Sequence, residues 1–372
     1  MAFQKAMAGI YIHVPFCASR CIYCGFYSTT RNDLRQRYVD AVCREMQLRQ
    51  DYLKEPPRTI YIGGGTPSQL SSAQLQQLFR ALDVSQAEEV TIECNPDDVT
   101  PALVATLAQL PVNRVSMGAQ TFSDERLHFF RRRHTASQVV EAVGRLRDAG
   151  IHHVSIDLMY GFPGETLEEW HRDIDGALAL GVEHLSAYAL MYEEGTPLYR
   201  LLEQGQVQEL DEELSLQMYS ALIDRLCAAG YEHYEISNFA TPGHRSRHNS
   251  SYWNQTPYLG LGAAAHSFDV ASRQWNVDDV EAYISGVESG QLQIEREVLD
   301  RDTRYNDIVM TALRTCEGLD LDILLPDEQD YCLQQAQRFL SDGLLRTENR
   351  HLILTRRGLF VSNMVMSDLM RV

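Results

Sequence analysis

The sequence predicts an α/β fold: a partial (β/α)6 barrel followed by a helical C-terminal domain that carries a winged-helix-like hairpin. Three observations lead there. Short apolar runs rich in β-branched residues alternate with amphipathic segments six times. Several runs end in glycine or a polar residue, as strands do where a parallel sheet builds a ligand site at its carboxyl edge. After about residue 195 the alternation stops, and after about 296 two helical patterns precede a hairpin pattern.

The predicted strands are GIYIHV (9–14), TIYIGG (59–64), EVTIEC (89–94), RVSMGA (114–119), HVSIDLMY (153–160) and HLSAYAL (184–190). Between them the apolar residues recur at helical spacing over 33–53, 68–82, 100–110, 123–149 and 166–180, with a break near His134 in the fourth segment. Strand then helix, repeated, requires parallel strands and right-handed crossovers. The polar strand ends Gly63 to Thr66, Glu93, Asn95, Gln120 and Asp157 then face one concave site. EGTPLY reads as a turn, and 211–229 as a helix ending at Gly230. YEHYEISNFA reads as a strand or hairpin, and TPGHRSRHNSSYW as a polar loop. Helices over 301–314 and 327–341 precede GLLRTENRHLILTRRGLF, a hairpin turning at Glu348-Asn349. The domain division is 1–195 for the barrel core, 196–295 for a barrel-closing extension and 296–372 for the C-terminal domain.

Composition narrows the function. Lys and Arg number 33 against 51 Asp and Glu, a formal net charge of −18. Such a surface repels a phosphate backbone, which argues against nucleic acid even with a winged appendage. No window is apolar over the ~18 residues that a membrane span needs. MAFQKAMAG lacks the longer apolar core of a secretory signal, so a cytoplasmic location is expected. Of the eight cysteines, Cys43, Cys94, Cys227, Cys316 and Cys332 are scattered and read as buried free thiols.

The other three are not scattered. Cys17, Cys21 and Cys24 stand in CASRCIYCGFY, directly after the first strand. Structural zinc is closed by four ligands, so zinc would need a fourth such as His13. The apolar neighbours of His13 fix it in a buried strand, away from a loop-borne site. Three thiolates can instead hold an iron–sulfur cubane with one iron left open, and the spacing favours that reading.

The C-x3-C-x2-C spacing on the loop after the first strand of a βα repeat resembles the radical S-adenosylmethionine (SAM) enzymes. That resemblance implies that Cys17, Cys21 and Cys24 hold a 4Fe–4S cluster whose open iron is chelated by SAM. YIHVPFC, GGGTPS, the E-x-N-P of Glu93 to Pro96, SMGAQTF and DLMYGFPGET resemble the oxygen-independent coproporphyrinogen III oxidase group across nearly the whole chain. Carried over by position, the resemblance places Tyr11 and Tyr23 beside the cluster. Gly64, Gly65 and Thr66 meet the methionyl part of SAM. Glu93, Gln120, Arg132 and Asp157 line its ribose and carboxylate. Arg132 stands in Arg131-Arg132-Arg133, and each of the three also suits a solvated face.

Two branches of that group differ in function. The oxidase has a fourth cysteine two places after the third and a longer N-terminal segment. Here the fourth-cysteine position is Phe26, and 16 residues precede Cys17. Both departures resemble the HemW-type heme chaperones, which bind heme and pass it to heme proteins, membrane-bound recipients included. His248, Asn249, Tyr252 and Trp253 spell the H-N-x-x-Y-W pattern associated with heme in that branch. His248 suits an axial iron ligand, and Tyr252 and Trp253 offer flat apolar surface to a porphyrin. His244 and His266 are fallback ligands; Cys227 and Cys316 suit the role less well. The expectation is a heme chaperone with a SAM-binding cluster of structural, dimerising or regulatory use, with homodimers compatible. The competing expectation is SAM-dependent decarboxylation of coproporphyrinogen III through a 5′-deoxyadenosyl radical.

Overall fold

The structure is a computed structural model and describes residues 8–371. The reading of MAFQKAMAG therefore falls mostly outside the described residues. Strands β1 (Ala8–Val14), β2 (Pro57–Gly64), β3 (Glu89–Cys94), β4 (Arg114–Gln120), β5 (His153–Tyr160) and β6 (His184–Ala189) pair in chain order and in parallel. Helices α1 (Arg35–Leu48), α2 (Ser72–Ala81), α3 (Pro101–Leu107), α4 (Asp124–Phe129), α5 (Ala136–Asp148) and α6 (Leu167–Leu180) cover the outer face.

The two faces of the strands are chemically distinct, because side chains alternate with period two. Ile10, Ile12, Val14, Ile60, Ile62, Val90, Ile92, Val115, Met117, Val154 and Ile156 join the helices in one large apolar core. The other face carries Gly9, Tyr11 and His13 on β1, Thr59, Tyr61 and Gly63 on β2, and Glu89, Thr91 and Glu93 on β3. It continues with Arg114, Ser116 and Gly118 on β4, and with Ser155 and Asp157 on β5. The lumen is therefore polar.

Local signals set the helix ends. Ser71 with Gln74, Thr135 with Gln138 and Thr166 with Glu169 form capping boxes at the starts of α2, α5 and α6. Gly181 ends α6 in the left-handed conformation. The break near His134 is real: α4 and α5 are separated there, and buried His134 Nε2 meets Ala119 O at 3.1 Å.

The sheet does not close. Its order is β12-β11-β10-β9-β1-β2-β3-β4-β5-β6-β8-β7, where β7 is Glu232–Glu235, β8 Asn238–Ala240, β9 Tyr258–Leu261, β10 His266–Phe268, β11 Ser272–Asn276 and β12 Ile294–Val298. Strand β9 extends the parallel set beside β1, and β8 caps the other edge antiparallel to β6. Three helices lie in this later part: α7 (Pro197–Glu203), α8 (Glu212–Ala228) and α9 (Arg247–Trp253). Two readings need correction here. EGTPLY is a turn only as far as Gly195, after which Thr196 caps α7 with Pro197 at its first position. TPGHRSRHNSSYW is not a loop throughout, because Ser246 caps α9 inside it.

Buried Glu45 ties α1 to this extension. It pairs with Arg49 and accepts from Gly262 N, Asn276 Nδ2 and Tyr283 Oη, the last on α10 (Val280–Glu288). Residues Tyr305 to Leu369 form a second apolar core around α11 (Arg301–Ala312) and α12 (Pro326–Ser341). Strands β13 (Leu319–Asp320), β14 (Leu345–Glu348) and β15 (His351–Leu354) make its antiparallel sheet, ordered β13-β15-β14. The hairpin turns one residue later than expected, at Asn349-Arg350, where both residues have positive φ. Among the described residues no helix is long and apolar enough to cross a membrane.

Candidate active site at the carboxyl mouth

The loop after β1 crosses the carboxyl ends of the strands. It is fastened by backbone bonds from Cys17 N to Thr29 O (2.9 Å), Ile22 N to Phe130 O (3.3 Å) and Leu198 N to Ile22 O (2.9 Å). Ile22, Phe130, Met159, Phe162 and Leu198 pack beneath it. Tyr23 sets its ring edge-on to Phe130 at 5.6 Å. The loop thus has its own small core and holds Cys17, Cys21 and Cys24 half-buried as free thiols, whereas of the scattered cysteines Cys227 and Cys316 are exposed rather than buried as expected.

The glycine stretch ends β2 directly beneath this loop. Gly65 donates to Val14 O at 2.8 Å. A Cβ on Gly65 would stand 2.7 Å from Pro15 C and 3.0 Å from Cys17 Sγ. Gly64 has φ +114°, and a Cβ there would meet the His13 ring at 2.6 Å. Neither position admits a side chain. Thr66 Oγ1 reaches Cys17 Sγ at 3.5 Å.

Arg132 is separated from its neighbours. Arg131 is exposed with φ +59°, and Arg133 pairs on the surface with Asp97 and Asp98. Arg132 turns inward, with Nη1 3.5 Å from Cys21 Sγ and Nη2 donating to Asn95 Oδ1 (2.5 Å) and Gly118 O (2.6 Å). Gln120 holds φ +66° at an irregularity in β4 and folds back over Gly118.

The two strand-end carboxyls line the lumen below. Glu93 accepts from Tyr61 Oη at 2.7 Å and from Gly64 N at 3.0 Å. Burial pushes its pKa up to about 7, against the pull of the Tyr61 bond. Burial likewise raises Asp157 to about 6. Burial is also the first cause of the raised Cys17 and Cys24 thiols, with neighbouring thiols adding to it. Arg114 stands between the carboxyls and the lumen floor and lowers both of them.

Among the described residues no three His, Cys, Asp or Glu side chains are drawn together as metal ligands. The donor chemistry nevertheless fits a cluster: three free thiols on one anchored loop, a cation against Cys21 and a glycine cradle against Cys17. His13 is not a fourth ligand; its ring is engaged with Tyr11 Oη (3.0 Å) and Tyr27 O (3.1 Å). Tyr11 stands in mid-lumen, where its contacts are with His13, Tyr61 and His248. Phe26, at the fourth-cysteine position, is 74% exposed.

The H-N-x-x-Y-W segment lies at the other end of the barrel. Helix α9 plugs the amino ends of the strands, and Glu89 at the start of β3 accepts from Arg247 N (2.9 Å) and His248 N (2.8 Å). His248 is not presented to solvent as a ready iron ligand; it is fully buried. Its Nδ1 meets Thr59 Oγ1 at 2.8 Å and its Nε2 meets Tyr252 Oη at 2.9 Å. Burial lowers its pKa to about 3, so the ring is neutral. Trp253 is half-buried under the Arg314 guanidinium (4.9 Å), its Nε1 without a partner, and Asn249 is half-buried. Of the fallback ligands, His244 stacks on His153 at 4.9 Å and His266 is exposed beside Trp275. Sequence reasoning passed over Tyr61, Thr59 and Glu89. Their inward register on adjacent strands was the available signal.

An open parallel α/β barrel with a polar lumen and three cysteines on the loop after its first strand defines the radical SAM class. The sequence model of the Radical SAM superfamily matches residues 11–176, and that of the HemN C-terminal domain matches 299–361. A protein of Lactococcus lactis subsp. lactis (strain IL1403) named heme chaperone HemW is 33% identical over 366 residues, spanning 95% of each chain. Its namesake in Mycobacterium tuberculosis (strain H37Rv) is 34% identical over 97% of this chain and 94% of its own. That of Bacillus subtilis (strain 168) is 32% identical over 96% and 98%. The chain belongs to this HemW family of the radical SAM superfamily. The solved structure of Escherichia coli coproporphyrinogen III oxidase (HemN) superposes with a TM-score of 0.84 at 22% identity, covering 99% of this chain and 91% of that one. At that identity the likeness is one of fold. Family membership implies a 4Fe–4S cluster and SAM.

Proposed function

We propose that this protein binds heme and delivers it to heme proteins, and that it carries a SAM-chelated 4Fe–4S cluster on Cys17, Cys21 and Cys24. The observation that carries the reading is the match, over almost the full length of both partners, to relatives named heme chaperones. Exposed Phe26 agrees with it, since the oxidase pattern puts a cysteine there. When bound, the cluster supplies an iron with an open position for SAM and an electron for chemistry at the sulfonium. Around it, Gly64, Gly65 and Thr66 present backbone and hydroxyl to the methionyl group, and Tyr23 walls the loop. Glu93 and Asp157 accept ribose hydroxyls. Arg132 and Gln120 hold the cysteine loop and the SAM carboxylate side together. Heme is taken by the α9 segment: His248 is the iron ligand, Tyr252 and Trp253 are the stacking surface, and Asn249 is the polar edge. That assignment requires α9 to lift from the barrel floor, because both His248 nitrogens are engaged. Recipients include heme proteins seated in membranes, and the site of action is the cytoplasm.

The test is hemin titration of anaerobically reconstituted protein beside an oxidase assay. A saturable Soret band, transfer of heme to an apo heme protein, and no protoporphyrinogen IX from coproporphyrinogen III are expected. Conversion of coproporphyrinogen III with SAM and a reductant would replace this reading with the oxidase.

A further inference from the structure

The cysteine mouth and the α9 plug sit at opposite ends of β2. Thr59, near its start, touches His248, and Gly64, at its end, gives its N–H to Glu93. The five steps from Thr59 to Gly64 span ~17 Å at ~3.3 Å per residue, so ligands at the two ends do not touch. One side chain bridges the interval. The Tyr61 ring stacks on His248 with centroids 5.2 Å apart at 25°, and its hydroxyl donates to Glu93 Oε1 at 2.7 Å. Tyr61 is itself buried.

We propose that Tyr61 couples the two ligand sites, so that SAM at the mouth strengthens heme binding at α9 and heme strengthens SAM binding. The proposal rests on the heme and SAM assignments above. Both partners of Tyr61 are engaged without ligands. His248 has no free nitrogen and must leave the stack to reach an iron. Glu93 accepts from Tyr61 on one oxygen and from Gly64 on the other, so a ribose hydroxyl arriving at Oε1 shares that oxygen with Tyr61 and weakens its bond. Each ligand therefore removes or weakens one of the two contacts that hold Tyr61. The first ligand bears the cost of loosening the ring, and the second finds it already loosened. A ligand shifts an equilibrium only through such differential contacts, and the resulting coupling is reciprocal by linkage.

Tyr61 is a positioning residue on this account, and affinities rather than turnover test it. Hemin affinity of the reconstituted full chain is measured with and without saturating SAM, and SAM affinity with and without hemin. Both ratios should be equal and at least about 5-fold, the lower end of ordinary coupling. Tyr61→Phe keeps the stack but deletes the hydroxyl, and should bring both ratios to about one. Thr59→Val loosens His248 without touching Glu93, and should raise hemin affinity while SAM still strengthens it. Wild-type ratios within a factor of two of unity, or a full ratio in Tyr61→Phe, overturn the coupling while leaving heme and SAM binding intact. A wild type that binds no hemin at all overturns the functional reading and the coupling together.

Discussion

At the scale of single residues, the mouth is held by groups whose roles depend on burial rather than on residue type. Arg131, Arg132 and Arg133 are indistinguishable in the sequence, yet only Arg132 enters the site, because the left-handed turn at Arg131 swings the next side chain inward. Arg132→Gln should lower iron content per chain or shift the reduced cluster's EPR signal. Arg131→Gln should do neither, and iron analysis with EPR checks both. Glu93 and Asp157 were legible as strand-end carboxyls; their burial was not, since it depends on how far the barrel curls around them. Their folded pKa values, about 7 and about 6, lie above the ordinary 4.5 and 3.8. A raised carboxyl pKa means that the fold prefers the protonated form. The contribution of these two groups to stability is therefore fully present below about pH 4 and is lost as pH rises through 7. In thermal unfolding of SAM-free protein across that range, Glu93→Gln should gain stability relative to wild type as pH rises from about 4 to 7. A difference between the two proteins that does not change with pH would show that Glu93 is solvated.

At the scale of elements, the six parallel strands were legible because each is a short apolar run, β-branched in all but β6, bounded by a helix pattern. The strands that complete the sheet were not. β9 is only Tyr258–Leu261, with three of its four residues glycine or leucine, and β10 is three residues long, so neither shows a period. Strand β9 becomes a strand because β1 offers it a free edge, which is a tertiary cause. Helix α9 was missed for a related reason: seven polar-rich residues make a marginal helix alone. It persists because Glu89 accepts its first two N–H groups and His248 fills the floor of the lumen. Glu89→Ala leaves two donors unpaired and should cost about 1–3 kcal/mol of stability in denaturant unfolding. It should also raise the rate of hemin association, because α9 must leave this anchor to bind. Faster unfolding with no change in that rate would mean that heme does not enter through α9.

At the scale of the whole molecule, the second core is fastened to the barrel through the same region that holds the heme motif. Arg314, just past α11, donates twice to buried Glu235 at the end of β7 (2.9 and 2.7 Å) and lies over Trp253 at the end of α9. Gln255 reaches Thr311 at 2.9 Å, and Arg273 pairs with Asp307 across the same seam. The C-terminal part therefore backs α9 against the barrel floor. Two of these contacts, Arg314 with Glu235 and Arg273 with Asp307, set an arginine against a carboxylate. Arg314→Ala would strand Glu235 without its cation in a site where the side chain is 1% exposed. Breaking one side of a buried pair costs about 3–5 kcal/mol, far more than the pair itself contributes. Arg314→Ala should therefore lower the denaturation midpoint strongly, and Arg314→Ala with Glu235→Gln should recover part of the loss. The same variant removes the cation over Trp253, so its emission should change even where the fold survives. Equal destabilisation in the single and double variants would show that the seam is held by its apolar contacts, and that the arginine is incidental to it.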